Sequence, residues 1–363
     1  MKGLTQGEQS TLVNPTLQLI CRSGGFLADL VAGTFIVEDI KSAGAAATTK
    51  VASTPFATLT HKIGTGRYAI LTGDTSAWSL GTHRVRCAYQ MAAAGPTYYQ
   101  NIEFEILESG DWPTGNSYVG YLSTRRALDS GYVPSTVTRQ ELHNHICEVS
   151  RRIEQWTGRW FDPRYLTFKK KGRGMPALLL QHPIIAIEDI YAIWQTTSGQ
   201  DSYKYEQYLY RVYNRHLEGF YETDDRKHPK IDLTDVDGTI VKVKNFAWPY
   251  GNQNIQVQGV FGYTDPEFDA TSGEVLIGTT PLDIGRVVGS MIARIIEDPT
   301  LTSLMSWSPG SIKSMRTRDQ SVTFGGGGSA ASGGTIMNAS FTGDPLLDNI
   351  LAKYCRPFAV SAL

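Results

Sequence analysis

The feature that most limits what this chain can become is a change of hydrophobic period partway along it. Up to about residue 110 the apolar residues alternate. Leu17, Leu19 and Cys21 share one side of TLQLICR, and Val85, Cys87 and Tyr89 share one side of HRVRCAY. Ile102, Phe104 and Ile106 alternate with Asn101, Glu103 and Glu105. A repeat of two is that of a half-buried strand, and the turn-rich pieces SAGAAATTK, HKIGTGRY, LTGDTSAW and AAAGPT break it at strand-length intervals. The pattern predicts an immunoglobulin-like β-sandwich over 1–110. ESGDWPTGNSY then gathers Gly, Pro, Ser, Asp and Asn, which predicts a linker at 111–117 before a second domain over 118–363. The chain is therefore read as α+β and multidomain.

Beyond the linker the period becomes helical. Thr138 and Glu141 form a capping box, and Leu142, Ile146, Val149, Ile153 and Trp156 follow on one stripe until Gly158 stops a helix of about 138–157. Trp156, Gly158 and Arg159 are read as a structural helix end. Alternation returns from about 163 to 263, through RYLTFKK, ALLLQHP, IIAIEDIYAIW and NIQVQGVFGY. Thr280 and Pro281 open a second helix to about 297, carrying Ile284, Val287, Val288, Met291, Ile292 and Ile295. A glycine-rich loop is expected at 325–334, and Asp344 with Pro345 starts a last helix to about 356. Its stripe of Leu347, Ile350, Leu351 and Tyr354 needs a surface, supplied either by its own domain or by a partner, because so short a helix is unstable alone.

Composition narrows the function classes. Lys and Arg number 34 and Asp and Glu 35, a net charge of −1, which excludes a general basic binder of nucleic acid or anionic lipid. Only 19% of residues are charged, as expected when neighbouring subunits cover much of the surface. No run of apolar residues reaches membrane length and MKGLTQGEQSTLVNP lacks the core of a secretory leader, so cytosol-like conditions and no membrane partner are expected. Free thiols are then the default for Cys21, Cys87, Cys147 and Cys355, although Cys21 and Cys87 occupy the strands that an immunoglobulin disulfide would join.

The search for chemistry returns little. His143 and His145 point about 200° apart on one helix and do not chelate together, which leaves them as surface or interface imidazoles. The acidic run EGFYETDDRKHP lacks calcium-loop spacing, and GGGGS lacks the lysine and helix start of a phosphate loop. Lys169, Lys170, Lys171 and Arg173 make a local excess of positive charge on a hairpin. The simplest reading is a solvated tip; beside DNA they would meet phosphates. No catalytic residue, metal site or cofactor is predicted. The 18 Tyr and 7 Trp leave a second class open, a baseplate or adhesin module that recognises host glycan through the N-terminal sandwich.

One resemblance runs through the second region. ICEVSRRIEQWTGRWFDPR (146–164) is similar to the helix end of the head-to-tail connector, or adaptor, proteins of tailed bacteriophages. HisProIleIle at 182–185, NIQVQGVFGYTD, TPLDIGRVVGSMIARIIED, IKSMRTRDQSVTF and DPLLDNILAKYCRP follow in that family's order. The resemblance implies a connector domain of amphipathic helices with a β-rich insertion, and a structural virion protein made in the host cytoplasm and seated in the neck. It implies a ring of about twelve copies that binds the portal protein and a tail or neck completion protein. Double-stranded DNA would pass through without sequence-specific binding. The portal contact would fall on Leu347, Ile350, Leu351, Tyr354 and Arg356, and a connector of this kind is expected to be non-enzymatic. The first 110 residues are extra to that family core.

Overall fold

The computed structural model describes residues 2–6, 8–12, 15–23, 25–40, 47–108, 120–196, 199–213, 229–233, 247–268, 275–297, 315–317, 320–322, 342 and 344–355. The 111–117 linker, the 325–334 glycine run, the acidic run from Glu218 to His228 and Arg356 lie outside the described residues.

The first body has two layers. A five-stranded sheet runs in the order Lys2–Thr5, Tyr98–Leu107, Gly81–Gln90, Ala32–Asp39, Thr48–Pro55. Its first pair is parallel and the rest are antiparallel. A three-stranded sheet of Gln18–Ile20, Arg67–Ala69 and Lys62–Gly64 lies opposite, preceded by the single-turn helix α1 (Thr58–His61). Strands send alternate side chains to one face, so Leu17, Leu19 and Cys21 meet Phe35, Val85, Cys87 and Phe104 in one core. Cys21 and Cys87 are free thiols there, and burial pushes both far above the ordinary thiol range.

The second body joins a helix cluster to a sheet. Helices α2 (Thr124–Asp129), α3 (Arg139–Thr157), α4 (Leu282–Glu297) and α5 (Pro345–Tyr354) pack around Phe161 and Tyr263. The Thr138 hydroxyl accepts from the Glu141 N–H at 3.2 Å to start α3, as the capping box predicts. Gly158 ends it in the left-handed region at φ 65°, donating to the Glu154 carbonyl at 2.8 Å. Beside the helices stands a six-stranded sheet. Arg164–Gly172, Gly251–Phe261 and Ile184–Thr196 form its centre, and Gly199–Tyr205 pairs with the latter half of Ile184–Thr196. Ala177–Leu179, Lys230–Leu233 and Tyr210–Tyr213 form a smaller sheet over its apolar face, closing a core of Ile190, Ile255, Val257, Tyr210, Ile231 and Trp248.

This overturns the expected fold class. The described residues are mostly β, 43% strand against 23% helix, and the second body is not a connector domain of amphipathic helices with strands inserted into it. The reason lies in the strands themselves. They bury their apolar residues in a core of their own, separate from the helix core, so the sheet is a principal layer and the helices flank it. No helix among the described residues is long and apolar enough to cross a membrane.

The two bodies are fastened together rather than strung along a chain. Arg22–Ser23 and Phe26–Leu27, contributed by the first body, complete the six-stranded sheet; Phe26 pairs in parallel with Ile187, and the Ile187 N–H donates to the Gly25 carbonyl at 2.8 Å. Arg67 lies 3.4 Å from the centroid of the Tyr165 ring, whose hydroxyl donates to Glu188 at 2.5 Å.

Candidate functional site

The basic hairpin expected from the sequence is in fact the end of the strand Arg164–Gly172, which holds Lys169–Lys171, and the turn after it, since that strand pairs with Gly251–Phe261 and not with the next strand along the chain, Ala177–Leu179. It is built to be rigid. Gly172 donates its N–H to Asn254 Oδ1 at 2.8 Å, and Asn254 Nδ2 donates to the Pro249 carbonyl at 2.8 Å, so one amide side chain ties the hairpin to the turn that faces it. A Cβ on residue 172 would lie 1.8 Å from the Pro249 oxygen, which restricts the position to glycine. Backbone bonds from Gly174 to the Trp248 carbonyl (3.1 Å) and from Trp248 to the Met175 carbonyl (2.9 Å) complete the brace.

On this support the four cations divide. Lys169 pairs with Gln256, which pairs with Tyr191, which pairs with Lys204, so these side chains form one row across the outer face of the sheet; Thr167, Gln258 and Asp189 form the next. Lys170 falls on the opposite face, in the row of Ile255, with its ammonium 5.7 Å from the Phe168 centroid. Lys171 and Arg173 are exposed at the tip, where Lys171 lies 5.8 Å from the centroid of Tyr250, a residue 78% exposed.

Elsewhere on the molecule cations are mostly matched. Arg84 and Arg86 share Glu38 at 3.0 and 2.7 Å, Lys62 meets Asp29 at 2.6 Å, Lys230 meets Asp232 at 2.8 Å and Lys204 meets Asp189 at 2.5 Å. Arg164 holds Asp162 at 2.8 Å and also reaches Glu154. Burial pushes the Asp162 carboxyl up, but the positive charges around it, Arg164 among them, hold it below the usual carboxylate range. Lys169, Lys171 and Arg173 make no ion pair with any described residue. Nor does the nearby sequence offer one, since neither 164–179 nor 247–261 contains a carboxylate. What accompanies the cations instead is the amide-rich run Asn252, Gln253, Asn254, Gln256 and Gln258.

A second polar cluster joins the two bodies. Glu105, 0% exposed at the end of the Tyr98–Leu107 strand, accepts from Thr82 Oγ1 at 2.7 Å, from the Thr124 N–H and hydroxyl at 3.1 and 3.0 Å, and lies 3.2 Å from His143 Nε2. Thr82 belongs to the first body, and Thr124 and His143 lie on α2 and α3. A buried carboxylate with this many donors is a structural latch, because each bond offsets part of the cost of removing the charge from water.

The other predicted residues are placed as follows. Trp156 packs against the helix core, Gly158 is the left-handed cap, and Arg159 is buried with its guanidinium 5.3 Å from the Tyr263 centroid. The stripe of α5 is turned inward: Leu347 and Leu351 lie in the helix core, Ile350 packs against it, and the Tyr354 ring meets Phe161 and Tyr263 edge to face. The portal contact expected on Leu347, Ile350, Leu351 and Tyr354 is thus corrected, since those side chains are used in self-packing. The latch was missed because alternation correctly put Glu105 on a polar face but carries no sign that a helix covers that face. Asn254 and Tyr250 left no signal beyond a turn-like PYGNQN.

No protein-family model matches this sequence, and no curated protein matches it.

Proposed function

We propose that this chain is a non-enzymatic structural protein of a tailed-phage virion, seated in the neck as a ring that joins portal to tail and continues the DNA channel. The observation that supports this reading over a glycan-binding module is the junction between the bodies. A recognition domain carried on a mount works best when it can swing. Here the first body lends strands to the sheet of the second, and the buried Glu105 latch fastens it to α2 and α3. Subunits that keep a fixed place in a ring around a channel are served by that kind of rigid junction. The sequence motifs in connector order supply the family, and ring closure by identical head-to-tail contacts is the symmetry such a protein uses.

Native mass measurement and negative-stain imaging of the purified protein, alone and mixed with portal-bearing heads, test the proposal. Rings of about twelve that attach to heads are expected under cyclic assembly. Trimers that ignore heads and bind host glycan overturn it in favour of the adhesin reading.

A further inference from the structure

We propose that the hairpin bearing Lys169, Lys171 and Arg173 is a sequence-independent contact for the phosphate backbone of duplex DNA. Charge complementarity carries the argument. The three cations are exposed, have no carboxylate partner among the described residues, and lie within a reach of roughly 13 Å, five residues of near-extended chain. Their neighbours across the sheet are the amides and hydroxyls of Gln256, Gln258 and Thr167, and the one carboxylate in these rows, Asp189, is taken up by Lys204 at 2.5 Å and by the Tyr191 hydroxyl at 3.0 Å.

The brace explains why the patch is a contact rather than a solvated tip. Gly172 allows the hairpin to approach Pro249 closely, and Asn254 bonds to both sides, so the backbone beneath Lys171 and Arg173 is held before any ligand arrives. A solvated tip needs no such holding. A preorganised one loses less freedom on binding.

The net charge of −1 then becomes informative. Three cations on a nearly neutral protein bind weakly and without reading bases, so a duplex can slide past them. The inference rests on the neck reading only for the source of the duplex.

The test is fluorescence anisotropy of a short labelled duplex of mixed sequence with the full chain, across a salt series. Three phosphate contacts give a slope of log K against log salt of about −2.7, or roughly 40-fold loss between about 50 and about 200 mM salt. The variant Lys169→Gln/Lys171→Gln/Arg173→Gln is expected to flatten that slope by about 2.7, while Arg286→Gln, a surface cation already paired with Asp283, leaves it unchanged. Equal binding by the triple variant overturns the proposal. So does polyglutamate that competes as well per charge as the duplex, which would assign the patch to an acidic protein. Hairpin-dependent DNA binding by a protein that never forms rings would sink the neck reading and leave this contact standing; rings whose DNA affinity ignores the triple substitution would do the reverse.

Discussion

The Glu105 latch and the basic hairpin are both polar clusters, yet they are built on opposite terms. In the latch every group faces inward, and the carboxylate has Thr82, Thr124 and His143 around it. In the hairpin the backbone is braced at Gly172 and Gly174, while Lys169, Lys171 and Arg173 have no carboxylate among the described residues. The difference teaches how to separate the two uses of polarity. A cluster whose side chains answer one another is holding the protein together, whereas a cluster whose support is complete and whose charges are unanswered is prepared for something outside it.

Substitutions break that contrast in graded steps. Glu105→Ala removes the buried acceptor that Thr82, Thr124 and His143 share and is expected to cost about 3–5 kcal/mol in urea denaturation. A loss under about 1 kcal/mol would mean that water replaces the carboxylate easily and that the junction is looser than described. Leu351→Ala, which opens a cavity in the helix core, is expected to cost about 2–5 kcal/mol. Wild-type stability combined with lost attachment to heads would return α5 to a partner-binding role. Gly158→Val forces a β-branched residue to φ 65° and should lower stability by about 1 kcal/mol or more, read from the thermal midpoint. The triple hairpin variant should stay within about 0.5 kcal/mol of wild type, because no described carboxylate is left behind and the Tyr250 ring beside Lys171 is itself exposed. A larger loss would place the hairpin among the structural clusters.

The sequence was most readable where local rules suffice. The start of α3 at Thr138, its end at Gly158 and the opening of α5 at Asp344 and Pro345 all rest on contacts a few residues apart. Alternation also separated the buried Phe104 and Ile106 from the polar row that includes Glu105. It carried no information about what lies over each face, and two misreadings follow from that. Alternation does not show that a helix covers Glu105, and it reads the strands after 163 as an insertion although they build a layer with its own core. The brace under the hairpin was unreadable for a related reason: Gly172, Pro249 and Asn254 meet only after two distant strands have found their register.

The strands that the first body lends to the second also bear on how the chain reaches its native state. Phe26 finds its partner only when Ile187 is in place, and Lys2–Thr5 must wait for the Tyr98–Leu107 strand. Pairings so far apart in sequence close large loops before any contact rewards them, which makes them slow. Until Ile187 arrives, Phe26–Leu27 is paired only with Arg22–Ser23 and keeps one open strand edge, and premature pairing of that edge with another copy is the misassembly this architecture invites.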